Sequence, residues 1–239
     1  MDFSLMLSRL PDILEGVPVT LGLVTLSLLI GGVAAIGLAS MRMSSNPALS
    51  GFAYGYVFVF RGTPLLVQIF LIYYGIGQFE FVRDSFAWPV LRDAYWCAII
   101  ALAMNTAAYT SEIIRGGIQS VPHGSVEAAR ACGMSTLMTY RRIILPAAFR
   151  QALPSYGNEV ILMVKASSLA STVTIMEITG IARAIVSRTF APFEIFIVAG
   201  VIYLTINFLV TRAIKYAEWR LTPYLRDRPA AATDYALRR

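Results

Sequence analysis

The sequence contains an apolar stretch too long for an ordinary helix of a small soluble domain. It runs from Gly16 to Met41 without a charged residue, and about 20 apolar residues suffice to cross the hydrocarbon core of a bilayer. Further uncharged runs occupy Gly62–Phe79, Ala94–Ser111 and Ile195–Thr211. Since 57% of the residues are hydrophobic and only 14% are charged, the composition also disfavours a water-soluble fold. The sequence therefore predicts four clear membrane spans.

A fifth apolar segment lies between Leu153 and Met176 and is interrupted by Glu159 and Lys165. Charged residues inside a span face the protein interior or a water-filled cavity rather than lipid. Their six-residue separation corresponds to about 240° around a helix, so the two side chains do not share a face. We predict an all-α membrane protein with five transmembrane helices, forming a single transmembrane domain over residues 1–239.

The distribution of basic residues predicts the orientation. Most of the 20 lysine and arginine residues follow odd-numbered spans: Arg42 after the first, the arginines from Arg115 to Arg150 after the third, and the basic residues from Arg212 onward after the fifth. Because basic loops stay in the cytoplasm, we expect the N-terminus outside and the C-terminus inside. The loop 115–151 and the short tail 217–239 are then cytoplasmic. The net charge of +6 reflects this bias and does not indicate nucleic-acid binding.

The loop 115–151 carries local signals for two short helices. Ser120 and Pro122 indicate a helix start, and Gly133 indicates its end. Ser135 can cap a second helix, and Pro146 is expected to end it. We therefore predict a helical hairpin that turns at Gly133.

The same loop contains a motif with fixed spacing. It reads Glu-Ala-Ala, then Gly six residues after the Glu, and Ile-x-Leu-Pro ten residues beyond the Gly. This pattern resembles the coupling loop of ABC importer permeases, which docks onto an ATPase. Small alanines allow close approach of a partner, and the glycine permits a sharp turn. The matching residues are Glu127, Ala128, Ala129, Gly133, Ile143, Leu145 and Pro146.

Three further segments resemble the permeases of polar amino acid importers: Phe60–Gln68, Asn105–Gly117 and Gly157–Lys165. The resemblance is greatest to the M-type subunits of histidine, lysine, arginine and ornithine importers and of opine importers. It implies a type I permease core in the bacterial inner membrane, without catalytic activity or a bound cofactor of its own. It also implies a homologous Q-type permease subunit, two ATPase subunits that hold ATP and Mg, and an extracytoplasmic solute-binding protein. The sequence alone leaves a homodimer and a heterodimer equally open.

Polar residues inside the spans are the candidate solute contacts, because transporters place their sites at polar or broken helices near mid-depth. For Glu112 an ion pair with Arg115, three residues later, is the better explanation. Tyr109 belongs equally well to an interfacial aromatic belt. The segment Arg61, Gly62, Thr63 and Pro64 is predicted to be a structural break, at which Arg61 either fixes backbone carbonyls or contacts solute. The candidates for solute binding are Glu159, Asn158, Asn105, Tyr109 and Glu112.

Glu159 gives a hypothesis about the cargo. An ionised carboxylate inside a span is costly, so it needs either a cationic neighbour or a cationic solute, which favours basic amino acids or opines. Cargo of neutral or acidic amino acids stays open. A secondary transporter is disfavoured because the spans show no internal repeat, and a membrane enzyme because no nucleophile and base are paired. One histidine and two distant cysteines, Cys97 and Cys132, predict no metal site.

Overall fold

The computed structural model describes residues 1–221, and every regular element in that part of the chain is helical. Three helices are long and apolar enough to cross a membrane, and two bent helix pairs bring the number of spans to 5 if each pair counts as one. The prediction of an all-α membrane protein is therefore confirmed, and the predicted five spans match this count when each bent pair is one span. The helices are α1 (Phe3–Leu14), α2 (Gly16–Arg42), α3 (Pro47–Gly62), α4 (Leu65–Phe70), α5 (Glu80–Arg83), α6 (Trp88–Leu91), α7 (Ala94–Gln119), α8 (His123–Ala131), α9 (Thr136–Thr139), α10 (Leu145–Ala166), α11 (Ile178–Thr189) and α12 (Pro192–Leu221).

Both bent spans differ in extent from the segments predicted from hydropathy. Helix α3 precedes the predicted segment Gly62–Phe79, and the chain bends by 105° between α3 and the helical segment Leu65–Gln78. The apolar segment predicted between Leu153 and Met176 belongs to a helical stretch that begins at Thr136, and the chain bends by 48° before α11. At this second bend Thr174 adopts φ +68°, in the left-handed region. The predicted tail 217–239 starts inside α12, and its residues 222–239 lie outside the described part of the chain.

Helix α7 occupies the centre of the bundle and packs against α2, α3, α4 and α10. Small residues allow these close approaches, as is common in membrane helices. A Cβ atom at Gly31 of α2 would lie 2.6 Å from the carbonyl oxygen of Ala103 in α7. A Cβ atom at Gly117 of α7 would lie 2.8 Å from the carbonyl oxygen of Ala148 in α10. The backbones of these three helices therefore nearly touch.

The predicted cytoplasmic loop is helical and shorter than expected, because α7 extends to Gln119 and α10 starts at Leu145. Gly133 adopts φ +76°, and the Ser135 hydroxyl accepts a hydrogen bond from Met138 N, 3.4 Å away, so the turn and the cap form as predicted. The prediction that Pro146 ends a helix is wrong. It lies in the first turn of α10, directly after a π-helical turn, where its missing N–H costs little.

Candidate functional site

Glu159 is a carboxylate enclosed by protein rather than lipid. It lies on α10, its exposed fraction is 6%, and its Oε1 accepts a hydrogen bond of 2.7 Å from the hydroxyl of Thr106 on α7. The hydroxyl of Thr110, one turn along α7, lies 3.4 Å from that of Thr106. Two threonines and a glutamate thus form a buried polar cluster between the two helices.

The residues that flank Glu159 on α10 point away from this cluster. Asn158 and Lys165 are both exposed, and within residues 1–221 Glu159 and Lys165 form no ion pair. The prediction that these two charges do not pair along the helix is confirmed. Glu159 is therefore not neutralised by its own helix.

The break between α3 and α4 is held by two buried amides. Gln68 Nε2 lies 2.9 Å from the carbonyl oxygen of Phe60 and 3.1 Å from that of Thr63. Asn105 Nδ2 donates to Gln68 Oε1 at 3.0 Å and to the Phe60 carbonyl at 3.3 Å. The Phe60 carbonyl lies four residues before Pro64, which has no N–H to donate to it, so the two amides satisfy a carbonyl that the helix leaves open. Asn105, a candidate solute contact, therefore uses its amide nitrogen to hold the break.

Arg61 does not hold the carbonyls of this break, since in residues 1–221 that role falls to the two amides. The Arg61 side chain is exposed and lies over the ring of Tyr109, with its guanidinium carbon 5.1 Å from the ring centroid. A guanidinium at this distance makes a cation–π interaction. The structure thus brings Arg61 and Tyr109, which belong to different segments, into direct contact.

Glu112 joins two helices at the end of the bundle that carries α8, which we call the basic end. Its Oε2 accepts a hydrogen bond of 2.7 Å from Arg115, and its Oε1 accepts one of 3.2 Å from Arg42 on α2. The predicted pair with Arg115 is confirmed, and the pair with Arg42 was not foreseen. Arg42 also lies over the ring of Tyr54 on α3, 5.0 Å from its centroid. Helices α2, α3 and α7 are therefore tied together here.

The motif of the predicted coupling loop forms a surface at the basic end. Glu127 and Ala128 on α8 are exposed, whereas Ala129 is buried against the rest of the chain. On α9, Leu137 is exposed to 78%, and together with Ser135, Met138, Arg141 and Arg142 it lines a cavity of about 380 Å³. Of the remaining motif residues, Ile143 lies in the π-helical turn before α10, and Leu145 and Pro146 begin α10. All three are partly covered or exposed.

Some residues that hydrogen-bond to the candidate site residues could not be identified from hydropathy. Thr106, Gln68 and Arg42 each contact a residue at least 37 positions away in the chain. A polar residue within a span was the one available signal for Thr106 and Gln68. In residues 1–221, no group of three or more His, Cys, Asp or Glu side chains is placed to hold a metal ion.

Comparison with known proteins identifies the family and the fold. Residues 27–223 match the family described as binding-protein-dependent transport system inner membrane component. The nopaline transport system permease protein NocM of Agrobacterium fabrum is 57% identical over 229 residues, which cover 95% of either chain. The histidine/lysine/arginine/ornithine transport system permease protein HisM of Escherichia coli is 45% identical over 212 residues, covering 88% of this chain and 89% of HisM.

The solved structures agree with the fold. The crystal structure of an amino acid ABC transporter with histidines superimposes with a TM-score of 0.82 at 37% identity, covering 92% of this chain and 99% of that one. An inward-facing structure of the MetNI methionine ABC transporter has a TM-score of 0.66 at 17% identity, covering 93% and 100%. The second likeness concerns the fold alone.

Proposed function

The chain belongs to the family of binding-protein-dependent transport system inner membrane components, and on that premise we propose that it is the permease subunit of an ATP-driven importer for basic amino acids or opines. Its relatives are permeases of nopaline, octopine and histidine/lysine/arginine/ornithine transport systems. The observation that carries the preference for cationic solutes is Glu159, a carboxylate buried between two spans with a hydroxyl as its hydrogen-bonding partner.

Glu159 suits a cationic cargo for a physical reason. In a medium of low dielectric constant a carboxylate attracts a guanidinium or ammonium group strongly, and the hydrogen bonds between them are charge-assisted. Tyr109 and Asn158 are proposed as further solute contacts, because Tyr109 is partly exposed and Asn158 is exposed. Asn105 and Glu112 are proposed to act on solute through the helices they position, because their polar atoms already bind protein groups.

The surface of α8 and α9 is proposed to dock onto an ATPase subunit. Exposed apolar side chains beside arginines, as at Leu137 and Arg141, are typical of a protein interface. The complete importer then contains two ATPase subunits, which hold ATP and Mg, a homologous Q-type permease subunit and an extracytoplasmic solute-binding protein. This chain supplies half of the membrane pathway and no hydrolytic residue.

Substitution of Gly133 tests the docking assignment. Gly133→Val places a β-branched residue at φ +76°, which costs about 1–2 kcal/mol, and we expect reduced ATPase stimulation by the loaded binding protein. Gly133→Asn is the matched control, since asparagine tolerates this conformation, and should retain most of the stimulation. If the assembled complex with Gly133→Val shows wild-type stimulation of ATP hydrolysis, the turn at Gly133 has no role in coupling.

Uptake into proteoliposomes tests the function itself. The complex is reconstituted with ATP inside and the cognate binding protein outside, and uptake of arginine, histidine, octopine, nopaline, glutamate and glutamine is compared. We expect ATP-dependent uptake of cationic solutes or opines that persists when ionophores collapse ion gradients. Preferred uptake of glutamate or glutamine would favour the alternative cargo, and uptake that follows the ion gradient without ATP would favour a secondary transporter.

A further inference from the structure

Two cavities of about 380 Å³ each lie side by side near the basic end. Arg61, Tyr109 and Glu112 line both of them, so these three residues form their shared wall. One cavity is completed mainly by α3, and the other by the end of α7 together with α10, which contributes Gln151 and Ser155. Both cavities are lined by polar as well as apolar groups.

The guanidinium groups around this wall outnumber its carboxylates. Glu112 is its one carboxylate, and both of its oxygens are occupied, one by Arg42 and the other by Arg115. Among residues 1–221 no carboxylate oxygen lies within the 4.0 Å of an ion pair from the Arg61 guanidinium. Counting Arg42 and Arg115, three guanidinium groups therefore surround the one carboxylate of this wall, and Arg61 is the one that Glu112 does not bind. Glu159 attracts Arg61 electrostatically but, in this described part of the chain, forms no ion pair with it.

The surroundings of Arg61 leave its hydrogen-bonding edge available. Tyr109 covers one face of the guanidinium, and the backbone before the arginine is fixed because Gln68 and Asn105 both hold the Phe60 carbonyl. A guanidinium oriented in this way presents a planar fork of N–H donors that matches the two oxygens of a carboxylate. The arrangement is pre-organised for an anionic group of that geometry.

We infer that Arg61 binds the carboxylate of the transported solute, and this inference rests on the proposed import of amino acids or opines. Ser155 lines the cavity on the α10 side, and Glu159 lies one turn further along the same face of α10. A zwitterionic solute in this cavity presents its carboxylate to Arg61 and its cationic side chain towards Glu159. Arg61 then fixes the orientation of every amino acid cargo, whereas Glu159 selects its charge.

Binding of a solute and of its uncharged amide separates this role from a structural one. The complete complex, with partner permease and ATPase subunits but without binding protein, is placed in nanodiscs, and equilibrium binding of L-arginine and L-argininamide is measured. We expect Arg61→Gln to weaken arginine binding by about tenfold to a hundredfold, the range for a hydrogen-bonded ion pair, and to leave argininamide binding nearly unchanged. Arg61→Lys should retain part of the preference for the carboxylate. Arg9→Gln, an exposed arginine on α1, should change neither affinity.

Three results would overturn the inference. The first is equal weakening of arginine and argininamide binding by Arg61→Gln, which indicates a structural role or a carboxylate from the partner permease. The others are unchanged arginine binding in that variant and no saturable arginine binding to the wild-type complex. Uptake with the binding protein is measured on the same preparation. Normal ATP-dependent uptake combined with any of these results rejects the role of Arg61 alone. Absence of ATP-dependent uptake for every solute tested rejects the proposed function.

Discussion

Two adjacent glycines of α2 provide a sharp test of the packing that supports Glu159. A methyl group at Gly31 would lie 2.6 Å from the Ala103 carbonyl oxygen and even closer to the side chain of Thr106, whereas one at Gly32 meets nothing within 4 Å. Gly→Ala in a helix gains about 1 kcal/mol from propensity at either position. Overpacking at the first position costs about 1–3 kcal/mol. Because the propensity gain cancels in the comparison, Gly31→Ala should be less stable than Gly32→Ala by about 1–3 kcal/mol.

The assay is unfolding of the purified protein by SDS in mixed micelles, followed by far-ultraviolet circular dichroism. A second readout follows from the structure, since Thr106 donates its hydrogen bond to Glu159. Displacing Thr106 should weaken arginine binding in Gly31→Ala and leave it unchanged in Gly32→Ala. Equal stability and equal binding of the two variants would refute the close packing of α2 on α7 and its link to the site.

Two further predictions concern buried polar groups. Gln68→Leu removes the amide that holds the α3–α4 break and should destabilise the protein by about 2 kcal/mol, from interhelical bonds of about 0.6 kcal/mol each and carbonyls left unsatisfied. The control is Gln78→Leu at an exposed position, and equal midpoints of the two variants in the SDS titration would exclude a stabilising role for Gln68. Tyr203→Phe removes a 2.6 Å hydrogen bond to the fully buried carboxylate that caps α11 and should cost about 1–3 kcal/mol. Tyr216→Phe, at an exposed position, should cost much less in the same titration.

The spans could be predicted from the sequence because hydropathy is a property of each segment alone. Helix α3 was missed as part of a span, since Arg61 in its last turn and the break at Pro64 separate it from the apolar run that follows. The role of Pro146 was wrong because a π-helical turn carries the chain straight into α10, and residue preferences do not reveal such a turn. Local signals at Gly133 and Ser135 succeeded because they act through backbone geometry and nearest neighbours.

The candidate site could be predicted only in part. Glu159 stood out because a charge in a span is costly, and the pair of Glu112 with Arg115 follows from helical spacing. The partners Thr106 and Arg42 could not be foreseen, because they meet Glu159 and Glu112 only when distant helices pack. The same holds for Arg61 and Tyr109, whose contact joins α3 to α7.

The most direct test of the account is the solute selectivity of Glu159→Gln in the reconstituted complex with its binding protein. The account predicts that uptake of arginine, per assembled complex, falls by about tenfold or more, the cost of losing a charge-assisted pair. Glu177→Gln is the control and should leave selectivity unchanged, because the amide oxygen can still cap α11 and the amide N–H can donate to the Tyr203 hydroxyl. Unchanged arginine uptake in Glu159→Gln, or loss of the whole complex from the membrane, would contradict a role for Glu159 in solute recognition and favour a structural one.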